Sequence, residues 1–205
     1  MNKPSREYLI ELMKDAQEKL DRFSYVESGA PNEMITYVCT KRRNMMGILS
    51  GLSGLAEIKK YEVKETCSIG SNCKYYNKFY KSDGRLIKVE CFVGGRDDID
   101  VIYIAHYAGN CRYLFPHFSD LSKAVGYYIV ATKYENGNVV EEYRVNNGQI
   151  VYEKYDYSLQ NDVGYYCVNY VPNGKHQILG EEDGIFDKNS LEYRQVSNYA
   201  WFQND

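Results

Sequence analysis

The chain has 205 residues, of which 44% are hydrophobic and 26% charged, and its net charge is −3. This is an ordinary globular composition, and it excludes a disordered chain. The mild acidity gives no basic excess that would attract nucleic acid or an anionic membrane, so we expect neither as a partner.

The length predicts one domain, residues 1–205, with a core large enough to fold without disulfides or metals. Within it we distinguish an N-terminal helix over 1–28, a strand and glycine-rich segment over 33–60, and an antiparallel β-rich body over 61–205. The opening MNKPSREYLIEL has no apolar signal-peptide core, and no apolar run reaches the roughly 18 residues that span a bilayer. We therefore expect a soluble, cytoplasmic protein.

The cysteines form no C-x-x-C pair, and in the cytosol they would remain thiols that act as small buried hydrophobes. In a secreted chain they would pair as disulfides instead. They are Cys39, Cys67, Cys73, Cys91, Cys111 and Cys167.

Apolar side chains at three- and four-residue steps from Leu9 to Phe23 predict an amphipathic helix. Pro4 suits the first turn of this helix, because its missing N–H would have no partner there. Gly29 and Pro31 end the helix, and the segment MITYVCTK that follows is typical of a strand.

Residues 44–60 allow two interpretations. As a helix, they place Gly47, Gly51, Gly54 and Ile58 on one flat face, at a cost of roughly 1 kcal/mol for each interior glycine. As a loop, they avoid that cost. The spacing matches neither G-x-G-x-x-G nor the P-loop, so structural packing is favoured over a phosphate or membrane site, with self-association through the glycine face as a further alternative.

From Tyr61 onward, turn signals between apolar runs predict antiparallel hairpins. A short helical turn with Ser119 as its cap is expected over residues 115–125. The turn signals are Ser82-Asp83-Gly84, Gly109-Asn110, Asn136-Gly137, Asn147-Gly148 and Pro172-Asn173-Gly174.

Two Asn-Gly turns within KYENGNVVEEYRVNNGQIVYEKYDY specify a three-stranded meander. A two-residue turn at each pair brings the same side chains to one apolar face, and a slip of one residue would move that whole set to the other face. The predicted cross-strand rows are Tyr128–Val145–Ile150, Val130–Tyr143–Tyr152 and Thr132–Glu141–Lys154.

The opposite face of this meander is mixed in character, and we expect it to meet water. Glu142 and Glu153 lie directly across from each other, which is unfavourable unless the diagonal Arg144 offsets the repulsion. Tyrosine is a good strand former, but on a wet face it is also typical of contact surfaces. Tyr155 and Tyr157 are therefore candidate partner-binding residues beside the two glutamates.

Two acidic runs occupy predicted connections. One contains Asp97, Asp98 and Asp100, and the other is the glycine-bounded stretch 180–184. Neither has the ligand spacing of a calcium loop, and solvated loops are the commoner structure. Alternatively, carboxylates near exposed tyrosines would attract and hold a basic protein partner.

No motif indicates catalysis, a cofactor or a metal. His106, His117 and His176 are far apart in sequence and belong to no zinc pattern. A Cys/His nucleophile pair has no specific support, so we expect a protein that is not an enzyme.

The helical N-terminus followed by a meander with the turns Tyr134-Glu-Asn-Gly137 and Asn146-Asn-Gly148 resembles the bacterial immunity proteins of contact-dependent inhibition and other polymorphic toxin systems. The resemblance lies in composition and layout over the whole chain, so it transfers no individual residue. It implies a cytoplasmic inhibitor that binds a cognate toxin domain and occludes its active site.

The fold class we expect is α+β, with an amphipathic N-terminal helix packed on a mostly antiparallel, curved sheet of meander hairpins. The expected function is protein-binding inhibition. The alternative is a small-molecule binder or enzyme that uses the concave face of the sheet, with His106 inside. The candidate partner-binding residues are Asp97, Asp98, Asp100, Glu142, Glu153, Tyr155 and Tyr157.

Overall fold

A computed structural model describes most of the chain. The residues it describes are 2–22, 31–39, 50–61, 63–66, 69, 75–93, 99–117, 128–146, 148–174 and 177–199.

The described residues form two helices and twelve strands. The helices are α1 (Arg6–Arg22) and α2 (Leu52–Lys60). The strands are β1 (Glu33–Cys39), β2 (Lys64–Thr66), β3 (Tyr75–Ser82), β4 (Arg85–Val93), β5 (Ile99–Ala108), β6 (Cys111–His117), β7 (Ile129–Glu135), β8 (Asn138–Asn146), β9 (Gln149–Asp156), β10 (Asp162–Tyr170), β11 (Ile178–Asp187) and β12 (Tyr193–Tyr199).

All twelve strands form one antiparallel sheet. From β12 to β3 each strand pairs with its neighbour in sequence, and β1 and β2 then extend the sheet beyond β3. The predicted N-terminal helix and antiparallel meander are therefore confirmed. The predicted curvature is not found, because the sheet is mostly not curled and its first and last strands remain at opposite ends.

Helix α1 packs on one face of the sheet, across strands β6 to β10. Leu9 and Ala16 from its apolar stripe are buried against Tyr143, Ile150 and other core side chains. Burying a leucine side chain contributes roughly 2 kcal/mol. The two ends of the stripe are fastened by polar bonds, since the Tyr8 hydroxyl donates to Glu141 at 2.7 Å and the Tyr113 hydroxyl donates to Asp15 at 3.1 Å.

The meander register is confirmed between β8 and β9, where Tyr143 lies opposite Tyr152 and Val145 opposite Ile150. Between β7 and β8 it is correct only near the turn, as at the pair Tyr134–Val139. A β-bulge after that pair leaves Val140 without a partner, and the rest of β7 is displaced by one residue.

This displacement decides which side chains of β7 meet the mixed face of β8. Ala131, not Val130, lies opposite Tyr143 on the α1 face, and Thr132 lies opposite Glu142 on the other face. The β7 members of all three predicted rows, Tyr128, Val130 and Thr132, are therefore wrong by one residue, whereas the β8 and β9 members are correct. The bulge places the Thr132 hydroxyl beside Glu142, where the regular register would have placed the methyl group of Ala131.

The second acidic run is not the loop predicted from its glycines. Residues 180–184 belong to β11, which pairs with β10 on one side and β12 on the other. Pairing on both sides outweighs the low strand propensity of glycine. Gly184 leaves room for the ring of Tyr193, since an added Cβ would lie 2.1 Å from a ring carbon of that tyrosine.

Within the ambiguous segment, residues 52–60 form α2, and residues 44–49, including Gly47, lie outside the described residues. Gly51 and Gly54 are buried within the chain. Of the predicted helical turn over 115–125, the first three residues belong to β6, and Ser119 lies outside the described residues. Neither described helix has the length and apolar character needed to cross a membrane.

Candidate functional site

A row of polar side chains crosses the sheet on the face opposite α1. Each member lies directly across from the next on the neighbouring strand, from β6 to β12. Such a row is perpendicular to the strands, with about 5 Å between neighbours. The members of this polar row are Arg112, Thr132, Glu142, Glu153, Cys167, Glu182 and Asn198.

Helix α2 lies over the Glu142 part of the polar row. The backbone N–H of Ser50 donates to the Glu142 carboxylate at 2.9 Å, and that of Gly51 at 3.4 Å. These N–H groups precede the first helical turn, where the helix has no carbonyl to accept them. Glu142 therefore serves as a capping carboxylate supplied by the sheet, and it also stabilises the positive end of the helix dipole.

A chain of hydrogen bonds continues from Glu142 along the polar row. The Thr132 hydroxyl donates to Glu142 at 2.9 Å and accepts from the Arg112 guanidinium at 3.1 Å. The same guanidinium nitrogen donates to the Ser50 hydroxyl at 2.8 Å. Arg112 thus connects β6, β7 and the segment before α2.

Glu153 is held by three donors from three elements. The Arg144 guanidinium donates to it at 2.8 Å and the Tyr155 hydroxyl at 2.6 Å. The Ser53 hydroxyl of α2 donates to the same carboxylate and lies 2.9 Å from the Tyr155 oxygen. The diagonal Arg144–Glu153 contact expected from the sequence is present.

Burial raises the pKa of Glu142 to about 7, and the charge of Glu153 adds to the increase. Its hydrogen bonds from Ser50 and Thr132 and the charge of Arg112 act in the opposite direction. Burial also raises the pKa of Tyr155 well above the usual tyrosine value. This hydroxyl therefore stays protonated and remains a donor to Glu153.

The approach of α2 to the sheet depends on Gly51. An added Cβ at this position would lie 2.3 Å from the Tyr155 oxygen, which is held by Glu153 and Ser53. The predicted role of the glycine face, close approach of another element, is observed at this residue.

The prediction that this face meets water is wrong at three of the candidate residues. Glu142, Glu153 and Tyr155 are only 1%, 3% and 3% exposed. The reason is that α2, a segment distant in sequence, covers them. A partner would reach Glu142 only if α2 moved away from the sheet.

Next to this covered region an open cleft of about 440 Å³ lies between α2 and strands β8 to β12. We call it the α2 cleft. Residues of α2, including Ser53, Ala56, Glu57 and Lys60, form one side. The sheet contributes Arg144, Glu153, Tyr165, Glu182, Phe186 and Tyr193.

The aromatic wall of the α2 cleft is packed edge to face. The ring of Tyr165 lies 5.1 Å from that of Phe186 and 5.6 Å from that of Tyr193, each close to perpendicular. The pKa of Glu182 is raised, chiefly by desolvation. The hydrogen bond with Tyr193 acts in the opposite direction, and the charge of Glu153 adds to the increase.

The remaining candidate residues are dispersed. Tyr157 is half-buried directly after β9, where it lines a second cleft of about 500 Å³ near the turn between β7 and β8. Asp100 is half-buried on β5, separated from β8 by β6 and β7. Asp97 and Asp98 lie outside the described residues.

His106, which the alternative function placed inside a concave site, is exposed on β5 and does not line either cleft. Among the described residues, no group of three or more histidine, cysteine or carboxylate side chains is arranged to hold a metal ion. Cys91, Cys111 and Cys167 are free thiols, and burial raises the pKa of Cys167 to about 12.

Sequence reasoning missed the α2 cleft and most of the polar row. The one available signal was the pair Glu142–Glu153, because two carboxylates opposite each other on a strand pair need nearby donors. Nothing local to Ser50, Ser53 or Arg112 indicates that they supply those donors. Tyr193 was missed because β11 was interpreted as a loop.

Comparison of the chain with models of known protein families, with curated proteins and with solved structures found no match.

Proposed function

We propose that this protein is a non-enzymatic inhibitor that binds another polypeptide along β12. The observation that carries the proposal is the position and exposure of this strand. It lies at one end of the strand order, and Val196 and Tyr193 on it are 63% and 39% exposed. The outer N–H and C=O groups of an end strand are a template for a further strand, which is a known mode of peptide recognition.

The sequence of β12, YRQVSNY, suits this role. It contains no proline, lysine or carboxylate, the residues that usually prevent an edge from pairing with other chains. Tyrosine and arginine are both enriched at protein interfaces. A β-bulge opposite Asp183 and Gly184 leaves Val196 out of the regular register, and this favours one specific partner over indefinite stacking.

The negative charge of β11, the strand next to β12, favours a basic partner. Strand β11 carries Glu181, Glu182 and Asp183 next to β12. Lys3 binds Glu181 at 2.5 Å and lies 3.6 Å from Asp183 on the α1 face, whereas Glu182 faces the α2 cleft. Complementary charge increases the association rate and discriminates against other partners.

For the cellular role we propose an immunity protein, which binds a cognate toxin domain and occludes its active site. The layout of the chain and the acidic, aromatic edge support this role together. A second candidate function, that of a small-molecule binder or enzyme, is favoured by one observation. The α2 cleft lies next to the region that contains Glu142, a buried carboxylate whose pKa is about 7.

The test is partner capture from the source organism with three baits. These are the wild type, Val196→Lys on β12 and Met34→Lys on β1, where Met34 is 54% exposed near the other end of the sheet. We expect the wild type and Met34→Lys to retain one stoichiometric polypeptide, and Val196→Lys to bind it about tenfold or more weakly, because a lysine both protects an edge and repels a basic chain.

The captured polypeptide is then expressed alone and together with this protein. An inhibitor is expected to relieve any toxicity or enzymatic activity of its partner, and Val196→Lys is expected to relieve less of it. Recovery of a bound metabolite with no polypeptide, or equal capture by the two lysine variants, would refute the proposal.

A further inference from the structure

The three carboxylates of the polar row differ in what faces them. Glu142 accepts from the N-terminal N–H groups of α2, and Glu153 accepts from Arg144. Glu182 is bonded to the hydroxyl of Tyr193, and no lysine or arginine of the described residues forms an ion pair with it. Within the polar row, Glu182 is thus the carboxylate that faces the α2 cleft and forms no ion pair with a described lysine or arginine.

Neither cation that lines the α2 cleft neutralises Glu182. The charge of Arg144 is taken up by Glu153 at 2.8 Å. Lys60 is exposed at the rim, and its ammonium group lies 5.6 Å from the centroid of the Tyr61 ring. Neither of these described cations therefore offsets the negative charge of Glu182.

The aromatic wall next to Glu182 favours the same sign of ligand. The rings of Tyr165, Phe186 and Tyr193 provide π faces, which attract ammonium and guanidinium groups and also cover the apolar stem of a lysine or arginine. The Tyr193 ring is seated over the backbone of Gly184, so this side of the cleft is built by a specific contact.

The cleft also lies beside the edge proposed above for partner binding. Tyr193, the first residue of β12, is its outer wall, and Glu182 lies directly across from Asn198 of β12. A strand added to β12 would carry alternate side chains over this face of the sheet. These side chains would lie on the same face of the sheet as the cleft.

We propose that the α2 cleft receives a lysine or arginine side chain of the polypeptide that pairs with β12, with Glu182 as the counter-charge. This inference rests on the proposed function and adds its specificity determinant. The half-buried carboxylate of Glu182 disfavours partners that present an apolar or acidic side chain at this position, because its charge would then remain unpaired.

The experiment uses blocked pentapeptides with valine and threonine on both sides of a central residue, titrated into the isotope-labelled full chain and followed by amide chemical shifts. With central lysine we expect saturable shifts at Tyr165, Glu182 and Tyr193. With central norleucine, which has a similar stem and no charge, binding is expected to be at least about fivefold weaker.

Two variants locate the charge. Glu182→Gln is expected to weaken binding of the lysine peptide by about fivefold or more. Glu135→Gln, an exposed glutamate on β7 that does not line the α2 cleft, is the charge-matched control and is expected to leave binding unchanged. Equal binding of the lysine and norleucine peptides, or equal effects of the two variants, would overturn the proposal. So would butylammonium binding as tightly as the peptide, because the cleft would then be a site for free amines.

The inference and the proposed function fail in different ways. If Val196→Lys loses the cellular partner and Glu182→Gln retains it in full, the partner binds β12 without using the cleft, and only the inference is overturned. If the wild type captures no polypeptide, the proposed function fails, whatever the peptide titration shows.

Discussion

Glu142 on β8 is buried beneath the start of α2. Its ionised form is stabilised by a backbone N–H group before the helix and by the Thr132 hydroxyl, which in turn accepts from Arg112. These contacts do not fully replace hydration, since its pKa is raised to about 7. The facing charge of Glu153 is part of the reason. A proton on Glu142 therefore stabilises the folded protein.

The sign of the resulting pH dependence follows from this shift. The pKa of Glu142 is about 7 in the folded protein against an ordinary value of 4.5, so between these values the folded state binds more protons than the unfolded state. Its contribution to stability is present below the unfolded value and is lost as the pH rises through about 7.

Glu142→Gln removes this dependence. Relative to the variant, we expect the wild type to lose on the order of 3 kcal/mol of unfolding free energy between pH 4.5 and pH 8. Urea unfolding of both proteins across this range measures the difference. Glu135→Gln, an exposed glutamate on β7, controls for the loss of one charge. Parallel pH profiles for the wild type and Glu142→Gln would show that Glu142 does not titrate in this window.

At the scale of elements, apolar packing accounts for more of the attachment of α1 to the sheet than of that of α2. Helix α1 has seventeen residues and a regular apolar stripe, so its position follows from its sequence, and two hydrogen bonds add to the packing. Helix α2 has nine residues, contributes Leu52 and Ala56 to apolar packing, and is also fastened by polar bonds to Glu142 and Glu153. Short helices are marginal alone, so α2 depends on these contacts.

Ser53→Ala tests the polar attachment of α2. The substitution removes the hydroxyl that donates to Glu153 and contacts Tyr155, and we expect the opening free energy of α2 to fall by about 1–2 kcal/mol. Hydrogen exchange of the α2 amides measures it, with little change expected in α1.

Ser5→Ala is the matched control. The Ser5 hydroxyl accepts from the Tyr8 N–H at the start of α1. Its loss should lower the opening free energy of α1 by about 1 kcal/mol, which accelerates exchange there, and leave α2 unchanged. Identical effects of the two variants on both helices would mean that the helices open together with the sheet, not separately.

At the scale of the whole molecule, the open sheet makes stability uneven. The middle strands are covered on one face by α1 and in part on the other by α2, whereas β12 and β2 lie at the two ends of the strand order. Local opening free energies vary with such differences in burial and hydrogen bonding.

We expect amide exchange to be slowest in β8, β9 and β10, with Ile150 and Tyr152 among the most protected residues, because both are almost fully buried. It should be fastest in β12 and β2. Residue-resolved exchange measures this gradient directly. Uniform protection from one end of the sheet to the other would contradict it and indicate global unfolding as the only route of opening.

The sequence by itself determined α1, the hairpin order of most strands, the register of β8 on β9, and the juxtaposition of Glu142 with Glu153. These follow from helical periodicity and from turn residues such as Asn136-Gly137, which act between near neighbours in the chain. The turn residues Asn136-Gly137, however, do not reveal the β-bulge that displaces the rest of β7 by one residue.

Only the tertiary structure decided that Glu142, Glu153 and Tyr155 are buried, that the acidic run at 180–184 is a strand, and that a cleft forms beside Tyr193. Each depends on a segment distant in sequence. Helix α2 covers a face whose composition suggests solvent, and β10 and β12 pair with residues whose glycines suggest a turn. The exposure of a side chain depends on which distant segment packs over it, and the neighbouring residues in the sequence do not specify that segment.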